Sequence, residues 1–212
     1  MAEKSEVWMR RIRNLTGFLG MILPWIALLG AYIYTRVNGT PDNFWNMLSI
    51  SETYYLSPAL AGILTAASIV LMCYDGYDWR DNLVTTLTGV CGILIVLFPC
   101  NCPISPERVG MFQLPAKTSH IIHTVAALAF FVLLAFNALF LFTLGDSDTK
   151  NKKIRNIIYR VCAIGMLGIF VLYPLPFWFT AKYYVIEAIA LTFFGICWLV
   201  KGRVFGFLED KE

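Results

Sequence analysis

The chain has 212 residues, of which 58% are hydrophobic and only 15% charged, with a formal net charge of +3 at neutral pH. A soluble domain carries about 25% charged residues, so a water-facing fold is excluded, and so small a positive charge gives no ground for a nucleic-acid partner. With a mean hydropathy of +0.65, the chain reads as an all-α polytopic membrane protein, a single integral membrane domain over residues 1–212 whose first partners are membrane lipids.

The first apolar segment, Thr16–Thr35, follows Arg10, Arg11 and Arg13. It outruns the roughly 7 to 15 residues of a signal-peptide h-region, and no small-x-small cleavage pattern follows, so it is expected to remain as a first span. Leu56–Tyr74, Leu83–Phe98, Thr118–Leu144, Asn156–Tyr173 and Ala181–Val200 complete a predicted six-helix bundle. A spanning helix needs about 20 residues. The third segment must therefore borrow Trp79–Asn82, and the fourth is expected to tilt or project from the bilayer. The apolar runs are continuous rather than alternating, which excludes spanning strands.

Of the 17 Lys and Arg residues, all but Arg36, Arg108, Lys117 and Lys182 fall on one side of this topology. The positive-inside rule then places both termini in the cytoplasm. On the outer side, Arg36–Tyr55 suits an interfacial loop or short helix. Cys100–Lys117, with Pro103, Pro106 and Pro115, cannot be one helix. The turn Pro174-Leu175-Pro176 leads into an aromatic belt, Phe177, Trp178, Phe179, Tyr183 and Tyr184, suited to the headgroup level. On the inner side, the loop with Asp75, Asp78 and Asp81 has the wrong spacing for a calcium loop. Asp78 or Asp81 is expected to cap the third helix.

Glu187 is the one carboxylate inside an apolar segment. An ionisable group at bilayer depth costs about 3 kcal/mol, which marks it as functional or paired. His120 and His123, the only histidines, lie at a similar depth in the fourth segment. Ser119, His120 and His123 share one helical face, and Asn137 returns close to it at about 100° per residue, so the stripe is expected to face the bundle interior. Glu187 is expected to contact His123, or else His120, or to share one bound group with it. Cys100 and Cys102 could form a small disulfide or remain thiols. With His120 and His123 they would also be chemically sufficient for zinc, an alternative that their spacing does not favour. The chain carries no phosphate-binding loop, H-E-x-x-H or G-x-S-x-G pattern, and no cofactor is implied.

The string Ser49-Ile50-Ser51-Glu52-Thr53-Tyr54-Tyr55, then Tyr77-Asp78 with Asp81, Phe98-Pro99, and a histidine opening the fourth span resemble a bacterial family of six-helix membrane proteins known as a domain of unknown function, which implies a bacterial plasma membrane. That family is similar in layout to the FRAG/DRAM-like proteins. The resemblance covers most of the chain and implies a six-helix bundle, with no catalytic residue to carry over.

Glu52, Tyr54, Tyr55, His120, His123, Tyr184 and Glu187 come from separated segments but fall at one depth near one face. This convergence points to a site opening to the outer leaflet that binds or handles a lipid or small amphiphile. The alternatives are a membrane-embedded hydrolase or transferase using His123 as base and Glu187 as its orienting group, a small channel or carrier, and a structural or assembly subunit. Pairs of small residues such as Gly17 and Gly20, Gly89 and Gly92, or Gly165 and Gly168 allow close packing within one chain or in a homo-oligomer.

Overall fold

The structure, a computed structural model, describes residues 2–40, 44–76, 78–144, 149–176 and 181–208. Seven α-helices are seen among them: α1 (Ala2–Asn38), the single turn α2 (Phe44–Met47), α3 (Ala59–Met72), α4 (Trp79–Leu97), α5 (Ala116–Phe136), α6 (Lys150–Gly168) and α7 (Lys182–Lys201). A 3-10 turn, Ser51–Tyr55, precedes α3, a π turn, Asn137–Leu141, extends α5, and a 3-10 turn, Ile169–Leu172, extends α6. Arg108–Val109 (β1) and Leu114–Pro115 (β2) pair as a minimal antiparallel hairpin in the proline-rich segment expected to be non-helical.

Five of these helices are long and apolar enough to cross a membrane, so the chain is a helical membrane protein. The second expected span is the exception. Its helix, α3, has 14 residues, short of the ~20 needed for a full crossing. Pro58 has no N–H to give to an earlier turn and stands at its N-terminus, while the chain leaves helical conformation at Cys73 before Gly76. Other helices outrun their expected bounds: α1 begins at Ala2 rather than at Thr16, α6 begins at Lys150 rather than at Asn156, and α4 does recruit Trp79–Asn82. Asp78 caps α4 as expected: its Oδ1 accepts from the Arg80 and Asp81 amides at 2.9 and 3.1 Å.

The long helices form a ring closed in chain order, each packed on the next and α7 returning onto α1, with α5 and α6 making the sparsest contact. Small residues allow the closest approaches. A Cβ on Gly17 would lie 3.0 Å from the Gly195 carbonyl and one on Gly195 2.9 Å from that of Gly17, so α1 and α7 meet backbone to backbone. At one end of the ring the N-terminal region, the α3–α4 loop, the end of α5 and the C-terminal region come together. There Arg13 donates to the Tyr74 hydroxyl, Arg203 pairs with Glu6, and Lys201 donates to the Phe142 carbonyl. This is the basic end. The opposite end carries the 3-10 turn Ser51–Tyr55, the hairpin and the start of α7. The aromatic run Phe177, Trp178 and Phe179 lies outside the described residues.

Candidate functional site

At the end opposite the basic one, the ring encloses a cavity of about 570 Å³. Leu23, Leu60, Leu64, Phe130 and Leu191 form its apolar depth. Its polar groups gather at one level: Ser49, Ser51 and Glu52 from the first connection, Cys100 and Asn101 after α4, His120, His123 and Thr124 on α5, and Tyr173, Tyr183 and Glu187 beside α7. Thr124, Leu128, Leu167 and Phe170 line the side between α5 and α6, where the ring is thinnest. Thr124, Leu128 and Leu167 are exposed, so the opening is lateral.

Two prolines and one carboxylate organise this level. Pro99 ends α4 and has no N–H, so the Ile95 carbonyl, four residues earlier, loses its helical partner. His123 takes its place: Nδ1 lies 3.2 Å from the Ile95 oxygen and 3.0 Å from that of Phe98. Ser119, one turn earlier, donates to the Pro99 carbonyl at 2.8 Å. Nε2 of His123 faces the Ser51 hydroxyl at 3.1 Å. In α1, the Pro24 carbonyl accepts the Tyr184 hydroxyl.

Glu187 holds the segment before the 3-10 turn. Its Oε2 accepts the Ile50 amide at 2.8 Å, with the Ser51 amide and Tyr173 hydroxyl beside it. Within that segment Ser49 and Glu52 form a reciprocal capping box: the Glu52 amide donates to Ser49 Oγ at 3.2 Å and the Ser49 amide to Glu52 Oε2 at 3.1 Å. Burial nevertheless pushes the Glu52 carboxyl above its usual range, against the smaller opposing effect of that amide. Neither carboxylate has a Lys, Arg or His ion-pair partner among the described residues.

Of the seven residues expected to form the site, Glu52, His120, His123 and Glu187 line the cavity. Tyr54, Tyr55 and Tyr184 stand outside its wall. Tyr55 braces the wall from behind by donating to the Cys100 carbonyl at 2.6 Å, and Tyr54 packs edge-on against Tyr55. Glu187 and His123 form no ion pair; they grip the same segment from two sides, at Ile50 and at Ser51. Ser119, His123 and Asn137 are at most 4% exposed and share the interior face. His120 turns outward to the rim, its Nδ1 accepting the Asn101 amide at 3.3 Å.

The ligand set Cys100, Cys102, His120 and His123 does not assemble, and no three metal-ligating groups converge among the described residues. His123 has both ring nitrogens engaged. Cys100 and Cys102 are buried free thiols in contact with each other; that contact, together with burial, holds the Cys100 thiol well above the usual range. Sequence reasoning missed Ser51, Asn101, Tyr173 and the cavity face of Cys100. For Ser51 a signal existed: the Ser-x-x-Glu spacing of Ser49 and Glu52 predicts a capped turn that fixes the serine between them. No family model, curated protein or solved structure matches this chain.

Proposed function

We propose that this membrane protein binds a lipid or small amphiphile between α5 and α6, with the apolar chain in the depth of the cavity and the headgroup at the level of Glu52, His123 and Glu187. The observation that carries the reading is the division of the cavity into an apolar shaft and a single polar level. Its volume of about 570 Å³ falls in the range of roughly 300 to 1,000 Å³ for ligand pockets. Two carboxylates stand on its wall and, among the described residues, no Lys or Arg does, which favours an uncharged or positively charged headgroup over an anionic one. The basic end marks the cytoplasmic side, so the cavity opens to the outer leaflet, in a bacterial plasma membrane on the family resemblance.

The reading is tested by photo-crosslinking the protein in nanodiscs with a diazirine-bearing long-chain alcohol and mapping the adducts. Adducts are expected on the peptide spanning Ala127–Phe131 and should disappear when the shaft is plugged by Leu64→Trp or Ala127→Phe. Adducts confined to outward-facing residues such as Ile121 and Val125, or unchanged in both plugged variants, would overturn it.

A further inference from the structure

We propose that Ser51 and His123 form a catalytic dyad that hydrolyses the ester of an amphiphile lodged in the cavity. The proposal rests on the cavity taking an amphiphile. The Ile95 and Phe98 carbonyls that face Nδ1 of His123 can only accept hydrogen bonds, so Nδ1 carries the proton of the neutral ring. Nε2 is therefore a free lone pair, and the Ser51 hydroxyl at 3.1 Å donates to it. A nucleophile on a base, with the base held in one tautomer by a third group, is the arrangement that activates serine. Here two backbone carbonyls occupy the place a carboxylate takes in the familiar triad.

The surroundings suit a reaction as well as a hydrogen bond. Ser51 and His123 both line the cavity, so a bound ester can reach the hydroxyl. When Nε2 takes the serine proton, the imidazolium donates from Nδ1 to two carbonyl dipoles and lies in a wall that holds Glu52 and Glu187. Asn101 and Tyr183 line the same cavity and bring to it an amide and a hydroxyl, the kinds of donor that stabilise an oxyanion.

In the first half-reaction Ser51 Oγ bonds to the ester carbonyl carbon as its proton moves to Nε2. The carbon–oxygen bond to the alcohol then breaks, and the alcohol leaves with that proton. In the second, a water gives its proton to Nε2 and attacks the acyl-serine. The carboxylic acid leaves and Ser51 recovers its proton. Water is the only co-reactant and no electrons are exchanged.

The test is exposure of the protein in nanodiscs to a hexadecyl fluorophosphonate, with peptide mapping by mass spectrometry. A phosphonyl adduct on Ser51 is expected. Its rate of formation should fall about a hundredfold or more in His123→Gln, with thermal stability measured in parallel, and the adduct should be absent in Leu64→Trp. Since the wild-type adduct is read directly, the outcome does not depend on a variant folding. Crosslinking of the alcohol probe in the cavity without phosphonylation of Ser51 would sink the dyad and leave the amphiphile site standing. Absence of both would sink both readings. A Ser51 adduct formed equally fast in folded His123→Gln would remove His123 as the base and overturn the proposal.

Discussion

At the basic end, Trp198 is enclosed by Tyr74, Phe142 and Phe194, with ring centroids 5.2, 5.1 and 6.1 Å away. Arg13 lies over Tyr74 and Lys201 over Phe142, so cations are packed on ring faces. At the other end, Glu187, His123 and Ser51 stand around open space of about 570 Å³. Both ends bring ionisable groups and aromatic rings into the ring of helices. The difference is what faces them. Around Trp198 at the basic end large rings pack against one another, and cations lie on two of them. At the cavity end the carboxylate and imidazole are spent on backbone groups left by a short turn and a proline, and the space beside them stays open. Close packing serves stability, whereas polar groups arrayed around a void leave room for the amphiphile proposed above.

The largest expected effect breaks the packed end. Trp198 is 1% exposed, and Trp198→Ala should cost about 3 to 5 kcal/mol, read as a lowered unfolding midpoint in detergent. A loss no larger than that of an outward-facing control such as Trp25→Ala would deny that this end is the stable one.

A smaller effect sharpens the account of the cavity end. His123→Ala strands the Ile95 and Phe98 carbonyls and should cost about 1 to 3 kcal/mol. Pro99→Ala restores an N–H that the Ile95 carbonyl can accept, so His123→Ala should cost measurably less in that background, with a coupling of about 0.5 kcal/mol or more. Strict additivity would show that the imidazole does not stand in for the missing amide.

The smallest effect is a pH dependence. Burial raises the folded-state carboxyl of Glu52 above its unfolded value. Its contribution to stability is therefore complete below the unfolded value and is lost as pH rises through the folded one. Glu52→Gln keeps an oxygen for the Ser49 amide without the charge. Wild type should therefore lose stability relative to this variant as pH climbs above the usual carboxylate range, then run parallel to it. A difference that does not vary with pH would show that Glu52 is as well solvated in the fold as in the unfolded chain.

Much of this contrast was legible residue by residue. Apolar continuity marked the membrane helices, Asp78 before Trp79 announced the cap of α4, and the positions of Ser119, His123 and Asn137 placed them on one face. Glu187 stood out as the single carboxylate within an apolar run. Harder to read was the use of each group. Tyr184 and Tyr183 are adjacent, yet one bonds to Pro24 inside the bundle and the other lines the cavity, because a rotation of about 100° per residue separates them. The pairing expected between Glu187 and His123 becomes two grips on one turn, because backbone amides and carbonyls compete for buried side chains and no apolar pattern records them.

The sequence by itself determined that this is a helical membrane protein, which segments form its long helices, which end is basic, and that Glu187 and His123 lie at a shared depth. These follow from one-dimensional quantities: length against bilayer thickness, charge distribution and helical phase. Only the tertiary structure decided that α3 falls short of a full crossing, that Pro99 hands the Ile95 carbonyl to His123, and that Ser51 meets the free nitrogen of that ring beside a cavity. Those outcomes depend on which backbone groups are left without partners once the helices pack, and that is settled by the ring as a whole.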